Sequence, residues 1–211
     1  MLRPTVVCVN HEAVRSAYGP RALEYRAAVG SIEHTHPADR ELVAAWAAGL
    51  KGPVLDAGCG PGHWTRFLGD HGARAEGMDL VPEFVALAAE TSPAYPFRLG
   101  TLEDLGVEDG SLGGIFAWYS MIHLHPAELP AVLLEFARCL RPGGHLLTGF
   151  FEGTEVERFA HAVMPAYYWP VDELVSKVTA AGFEVLETHR RTDAGRRPHA
   201  ALAARRLGQP V

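Results

Sequence analysis

Val54-Leu55-Asp56-Ala57-Gly58-Cys59-Gly60-Pro61-Gly62 is a short apolar run that closes on an acid and a glycine-rich turn. An apolar run this short, bounded by turn residues, reads as a strand buried on both faces, which is the environment of a parallel sheet. Before it, Leu42, Val43, Trp46 and Leu50 fall at helical spacing behind Pro37, which a first helical turn tolerates. After it the chain alternates. A helix is expected over 61–70, a strand over 74–79, a helix over 82–90, and strands over 96–101 and 112–118. A strongly patterned helix over 126–140 is closed by Arg141-Pro142-Gly143-Gly144 and followed by a strand over 145–151. Upstream, 10–29 reads as two short helical pieces, with Asn10 as the first cap and Gly19-Pro20 as the break. The tail adds a helix over 171–181 and strands over 183–190 and 199–205.

Strands alternating with helices of this length form right-handed βαβ units. The expected fold class is therefore α/β: a doubly wound, mostly parallel, seven-stranded Rossmann-like sheet with helices on both faces and an antiparallel C-terminal edge strand. At 211 residues one core is the default. The division expected within this single domain is an N-terminal helical lid over 1–50, a cofactor-binding core over 51–151, a substrate-cap insertion over 152–170, and a C-terminal helix and strands over 171–211.

With 48% apolar and 21% charged residues the composition is that of a globular chain, not a disordered tail. The net charge of −6, with Lys and Arg scattered or gathered near the C-terminus, argues against nucleic acid, which needs clustered cations. Arg190-Arg191 and Arg196-Arg197 read as a solvated edge. Cys8, Cys59 and Cys139 are odd in number and far apart, which suggests neither a disulfide framework nor a zinc ribbon and fits a reducing cytoplasm. No run approaches signal-peptide or membrane-spanning character, so no membrane partner is expected.

In open α/β sheets the ligand sits beyond the carboxyl ends of the strands, at the point where strand order reverses. The glycines after Asp56 let a ligand approach the backbone closely. A dinucleotide site would want a small third residue in the G-x-G-x-x-G pattern, and here that position is His63. The Asp56 carboxylate would also repel a pyrophosphate, whereas it attracts the ammonium and sulfonium of S-adenosylmethionine. Asp79 ends the second strand, where an acid suits the two hydroxyls of a ribose in either ligand.

Val54 to Gly62, then Gly77-Met78-Asp79-Leu80, then Gly100-Thr101-Leu102-Glu103-Asp104-Leu105, then Arg138-Cys139-Leu140-Arg141-Pro142-Gly143-Gly144 together resemble the class I S-adenosylmethionine-dependent methyltransferases. Within that family the chain is similar to small bacterial enzymes that methylate metabolites and natural products. The resemblance covers roughly 37–151. It implies Asp56, Gly58 and Gly60 around the methionine moiety, Asp79 at the ribose, Leu102 with a neighbouring acid at adenine, and Cys59 and Leu80 among the cofactor-binding residues. Two departures are visible. Thr101 stands where the family often has Asp, leaving the adenine amino group to Glu103 or the Thr101 hydroxyl. Val81 replaces an expected Ser before Pro82, which removes a helix cap. Tyr18 and Tyr25 fold over the cofactor as a lid or simply pack.

Methyl transfer is an in-line displacement whose main demand on the protein is alignment, with a base added when the acceptor is a hydroxyl or a protonated amine. The segment Ala117-Trp118-Tyr119-Ser120-Met121-Ile122-His123-Leu124-His125 lies beside the methyl group in this fold. His123 and Tyr119 are the catalytic candidates, with Trp118 as a cofactor wall; alternatively His123 packs under the following helix and hydrogen-bonds to backbone. His34 with His36 and His123 with His125 invite a metal, but no ligand set accompanies them and the chemistry needs none, so no metal is expected. Met164-Pro165-Ala166-Tyr167-Tyr168-Trp169 either caps the acceptor pocket, implying an aromatic or apolar small-molecule acceptor, or covers a sheet edge or an oligomer contact. The expected particle is a monomer or homodimer. The competing readings are a nicotinamide-dependent oxidoreductase and a non-catalytic cofactor-binding regulator.

Overall fold

The computed structural model describes residues 11–208; Cys8 and the Asn10 cap lie outside the described residues. In chain order the elements are α1 (His11–Tyr18), a 3-10 turn (Gly19–Arg21), α2 (Ala22–Val29), α3 (Pro37–Ala48), β1 (Pro53–Ala57), α4 (His63–Asp70), β2 (Arg74–Asp79), α5 (Pro82–Thr91), β3 (Phe97–Leu99) and β4 (Leu112–Trp118). They continue with α6 (Leu129–Cys139), β5 (Leu140–Glu152), β6 (Glu157–Phe159), β7 (Ala166–Trp169), α7 (Val171–Ala180), β8 (Phe183–Arg191) and β9 (His199–Arg206).

Strand side chains alternate between two faces, and both faces are buried. Leu55 and Ala57 of β1, Ile115 and Ala117 of β4, and Leu146 of β5 meet Val132, Leu133 and Phe136 of α6 and Leu174 and Val178 of α7. Val54, Phe116 and Leu147 point the other way, into Val43 and Ala47 of α3 and Trp64 and Leu68 of α4. A third cluster joins the N-terminal helices to the sheet: Tyr18 and Ala22 pack on Val81 and Phe84, with Tyr25 against them.

The parallel core runs β3-β2-β1-β4-β5, and β9 lies antiparallel between β5 and β8. These are the seven strands expected, in a doubly wound order that reverses between β1 and β4. The sheet nevertheless has nine strands. The additional pair, β6 and β7, is an antiparallel hairpin inside 152–170, a segment expected to be loop-like. Tyr168 and Trp169 of β7 pair with Phe151 and Glu152, along the edge of β5 that β4 vacates after Trp118 pairs with Gly149. An edge left with open hydrogen-bonding groups recruits the next extended segment, and alternation over four residues is too short to announce it.

Two boundaries shift for local reasons. The helix expected from Pro126 starts at Leu129, because the His125 ring accepts from the Ala127 N–H and Glu128 accepts from the His125 N–H, making a turn first. The strand expected from His145 begins at Leu140, which pairs with Leu112 before the ladder skips across Arg141–Gly144 and resumes with His145 opposite Gly114.

Candidate active site

Two adjoining cavities open at the carboxyl ends of β1, β2 and β4, of about 140 Å³ and about 660 Å³. Tyr18, Tyr25, Gly58, Gly60, Trp118 and Tyr119 line both and form their shared wall. The smaller holds Asp79, Leu80, Thr101, Leu102, Glu103 and His123; the larger holds Asp56 and Cys59. Every residue expected at the site from sequence thus lies on one of two contiguous surfaces.

The floor is set by backbone geometry. Gly58 has φ +84, and a Cβ there would stand 2.3 Å from the Ser120 Cβ, so only glycine brings the β1 turn this close to the segment after β4. Gly62, absent from the expected site, takes φ +81 as the cap of α4 and would meet Ala88 and Phe97 if it carried a side chain. It supplies the close helix packing that the pattern sought at position 63.

Asp79 is 8% exposed, and its two oxygens accept from the Gly60 and Val81 N–H groups at 2.8 Å each. It therefore ties the β1 turn to the residue before α5, a helix that starts without a side-chain cap. Asp56 is buried and accepts from the Thr65 hydroxyl at 2.6 Å. Burial pushes Asp56 up to about 7, with Asp79 adding to the shift, and pushes Asp79 up to about 6 against the pull of backbone N–H groups at Val81, Gly60 and Leu80. On the opposite side, Glu103 Oε2 meets His11 at 3.2 Å while its Oε1 is buried without a partner.

Both ring nitrogens of His123 are engaged. A carbonyl only accepts, so the 2.9 Å contact with Pro165 O places the ring hydrogen on Nδ1, and Nε2 accepts from the Tyr18 hydroxyl at 2.7 Å. Neither nitrogen is left for an acceptor, and burial holds the ring down at about 4. The backbone bond named as an alternative from sequence is present, to the Pro165 carbonyl, but the ring's neighbours are Tyr18 and His161. Tyr18 and Tyr25 pack edge to face, 5.5 Å apart, and line both cavities. Tyr18→Phe is expected to leave the buried Nε2 without a donor, lowering stability by about 1–3 kcal/mol in urea unfolding; an unchanged midpoint would show the bond to be idle.

The three adjacent aromatics do not line either cavity. Trp169 is 4% exposed within the core, Tyr168 stacks on Phe159 at 4.1 Å, and Tyr167 faces His125, so they cover the sheet edge. The insertion reaches the larger cavity through His161, Ala162 and Val163 instead. The two His-x-His pairs spend ring nitrogens on backbone, His36 from Ala38 and His125 from Ala127. Among the described residues no group of three or more metal-ligating side chains exists, and no helix is long and apolar enough to cross a membrane.

Residues that sequence reasoning missed cluster around Tyr119, whose φ is +55. Its hydroxyl is 2.5 Å from His199 Nδ1, and behind His199 lie Arg191, Asp39 and Asp193, with Arg191 bound to both acids. Pairing of β9 with its neighbours sets His199 opposite both Phe151 and Arg191, a register that no local motif announces.

A switch-point cavity on a 3-2-1-4-5 parallel core with an antiparallel insertion beside β5, floored by a glycine turn between two strand-end acids, is where a Rossmann-like domain receives a nucleoside cofactor. Residues 54–144 match the family model described as "Methyltransferase domain". The chain is 31% identical over 139 residues to a malonyl-[acyl-carrier protein] O-methyltransferase of Serratia marcescens, covering 66% of this chain and 52% of that one. It is 33% identical over 120 residues to a ubiquinone biosynthesis O-methyltransferase of Xanthomonas oryzae pv. oryzae, covering 54% and 49%. The chain thus spans about half the length of the curated relatives it matches. The fold matches a Burkholderia thailandensis 1,6-didemethyltoxoflavin-N1-methyltransferase solved with its substrate and S-adenosylhomocysteine, with a TM-score of 0.76 at 22% identity, over 98% of this chain and 94% of that one.

Proposed function

We propose that the chain binds S-adenosylmethionine in the smaller cavity and across the shared wall, and methylates a small molecule seated in the larger one. The observation that carries this reading is the pair of buried acids, Asp56 and Asp79, lining cavities that meet at Gly58 and Gly60. Asp79 suits the ribose hydroxyls, the unpartnered Glu103 Oε1 suits the adenine amino group, and Asp56 suits the cationic methionine end. Leu80, Thr101 and Leu102 flank the adenosine, and Cys59 backs the methionine end. Once bound, the cofactor supplies a methyl carbon already activated by a sulfonium. What remains for the chain is alignment, water exclusion and, where the acceptor is protonated, removal of a proton.

Tyr18, Tyr25 and the other N-terminal residues act as the lid, held shut by His123, so His123 serves as a positioning residue. Tyr119 is the residue that faces the acceptor. Trp118, Tyr119 and Phe151 in the larger cavity favour an aromatic or otherwise apolar acceptor. Buried free Cys59 and Cys139 fit a reducing cytoplasm, and the chain acts there as a monomer or homodimer, as one catalytic domain.

Isothermal calorimetry with S-adenosylhomocysteine and with NAD⁺ tests the reading. Tight binding of the first and none of the second is expected; NAD⁺ binding alone would turn the assignment to an oxidoreductase. Methyl transfer to any acceptor separates an enzyme from a cofactor-binding regulator.

A further inference from the structure

The larger cavity is not uniformly apolar. It contains five imidazoles (His34, His36, His63, His161 and His199) beside an acid–guanidinium cluster. Of these, His199 alone pairs with a residue of the wall shared with the cofactor compartment: its Nδ1 lies 2.5 Å from the Tyr119 hydroxyl. Tyr119 is also the one described residue other than glycine with a positive φ, +55. A bulky side chain held in that region costs of order 1–3 kcal/mol and persists only where the surroundings enforce it. Here the ring is pinned edge to face against Trp118 at 5.7 Å and packs at a tilt against Phe151 at 5.1 Å, and the hydroxyl is turned toward β9.

We propose that Tyr119 and His199 form a proton relay that deprotonates the acceptor, and that the acceptor is a flat molecule methylated on an acidic O–H, such as a phenol or an enol. This rests on the methyltransferase reading above. As the acceptor O–H bond breaks, its proton passes to Tyr119 Oη while the tyrosine's own proton passes to His199 Nδ1, which requires the tautomer with hydrogen on Nε2. The electron pair left on the acceptor oxygen forms the new bond to the methyl carbon, and the pair of the broken carbon–sulfur bond stays on sulfur. The positive charge that leaves the sulfonium reappears on the imidazolium, so charge balances.

The surroundings suit both ends of the transfer. Burial lowers the affinity of His199 for a proton, as do Arg191 of β8 and Arg196 of the following loop, so the ring is neutral and ready to accept at ordinary pH. Asp39 of α3 and Asp193 pull the other way and stabilise the imidazolium once formed. Arg191 holds both acids in place through ion pairs, and His36 lies 3.9 Å from Asp193. Burial pushes the Tyr119 hydroxyl well above its usual range, so it relays a proton without resting as a phenolate. Trp118 and Phe151 supply faces for a planar ring, and His161 contributes a buried Nδ1 with no partner, available for a second polar group on it.

The test uses the protein saturated with S-adenosylhomocysteine and para-nitrophenol as probe, because the phenolate band reports the probe's ionisation directly. In the unaltered protein the probe is expected to bind, with an apparent pKa at least about one unit lower than in His199→Gln and in Tyr119→Phe. Its methylation by S-adenosylmethionine is expected to be lost on the acid side of the profile. With para-methoxyphenol, which stays protonated, His199→Gln should cut turnover by at least about 100-fold. Affinity for S-adenosylhomocysteine should hold within about twofold in His199→Gln, which also certifies that the variant folds. Failure of the unaltered protein to bind S-adenosylhomocysteine would overturn the methyltransferase reading itself. Intact cofactor binding with no bound probe, or with the same ionisation in all three proteins, would overturn the relay alone.

Discussion

Asp79→Ala is expected to lower affinity for S-adenosylhomocysteine by about 3–6 kcal/mol, roughly 10²- to 10⁴-fold, since two hydrogen bonds to a charged group are lost together. The same carboxylate accepts from Gly60 and Val81, so the substitution also frees the glycine turn from the start of α5 and should reduce stability. Asp79→Asn keeps the shape but only one acceptor oxygen, so its NH2 faces one of the two backbone N–H donors; it should bind weakly and lose part of the stability lost in Asp79→Ala. Calorimetry alongside urea unfolding reads both, and an Asp79→Ala protein that binds as tightly as the parent would remove the ribose assignment.

The same acids predict how binding varies with pH. Their folded values, about 7 for Asp56 and about 6 for Asp79, lie above the ordinary 3.8, so between 3.8 and those values the folded chain holds protons that the unfolded chain has released. Ionising them therefore costs stability as pH rises through that window. A bound cation favours the ionised form and reverses the cost. Affinity for S-adenosylmethionine is accordingly expected to climb as pH rises through about 6 to 7, to level above it, and to be accompanied by proton release. Calorimetry in two buffers of different ionisation enthalpy measures that release; its absence would show that neither acid meets the cofactor.

Gly58→Val carries the second large effect. Its backbone sits at φ +84, where a β-branched residue is strained by about 1–3 kcal/mol. Its first side-chain carbon would also collide with Ser120 at 2.3 Å, adding about 1–3 kcal/mol of overpacking. Relief requires the segment after β4 to retreat, which opens the floor shared by both cavities. Binding of S-adenosylhomocysteine should become undetectable while the remaining fold melts at a lower temperature. Retained binding would mean that the turn does not form the floor. Gly60→Ala is the contrast: φ is +53 but nothing lies within 4 Å of the added carbon, so its effect should be backbone strain alone.

Much of this was readable in order along the chain. The strands over 74–79 and 112–118 fall where they were expected: Leu112–Trp118 is an uncharged, largely apolar run, and Arg74–Asp79 is a short segment between a glycine turn and the acid that ends it. The 152–170 hairpin was not readable, since β7 exists to satisfy an edge that only the assembled sheet exposes. His123 illustrates the limit on roles: its residue type and position suit a base, but whether its nitrogens are free depends on Tyr18 and Pro165, which lie 105 and 42 residues away in sequence. His199 illustrates the converse. Nothing near it in sequence marks it, and its position opposite Phe151 and beside Tyr119 follows from strand register.

The amino-acid order alone determined the alternating α/β architecture, the glycine turn between β1 and α4, and the acids at the ends of β1 and β2, because these depend on local periodicity and on spacing within one βαβ unit. The tertiary structure decided which side chains are spent on one another and which remain for a ligand. Hydrogen-bond saturation, burial and strand register are properties of contacts between distant segments, so the grip of His123 on Tyr18 and the pairing of Tyr119 with His199 exist only once the sheet has closed around them.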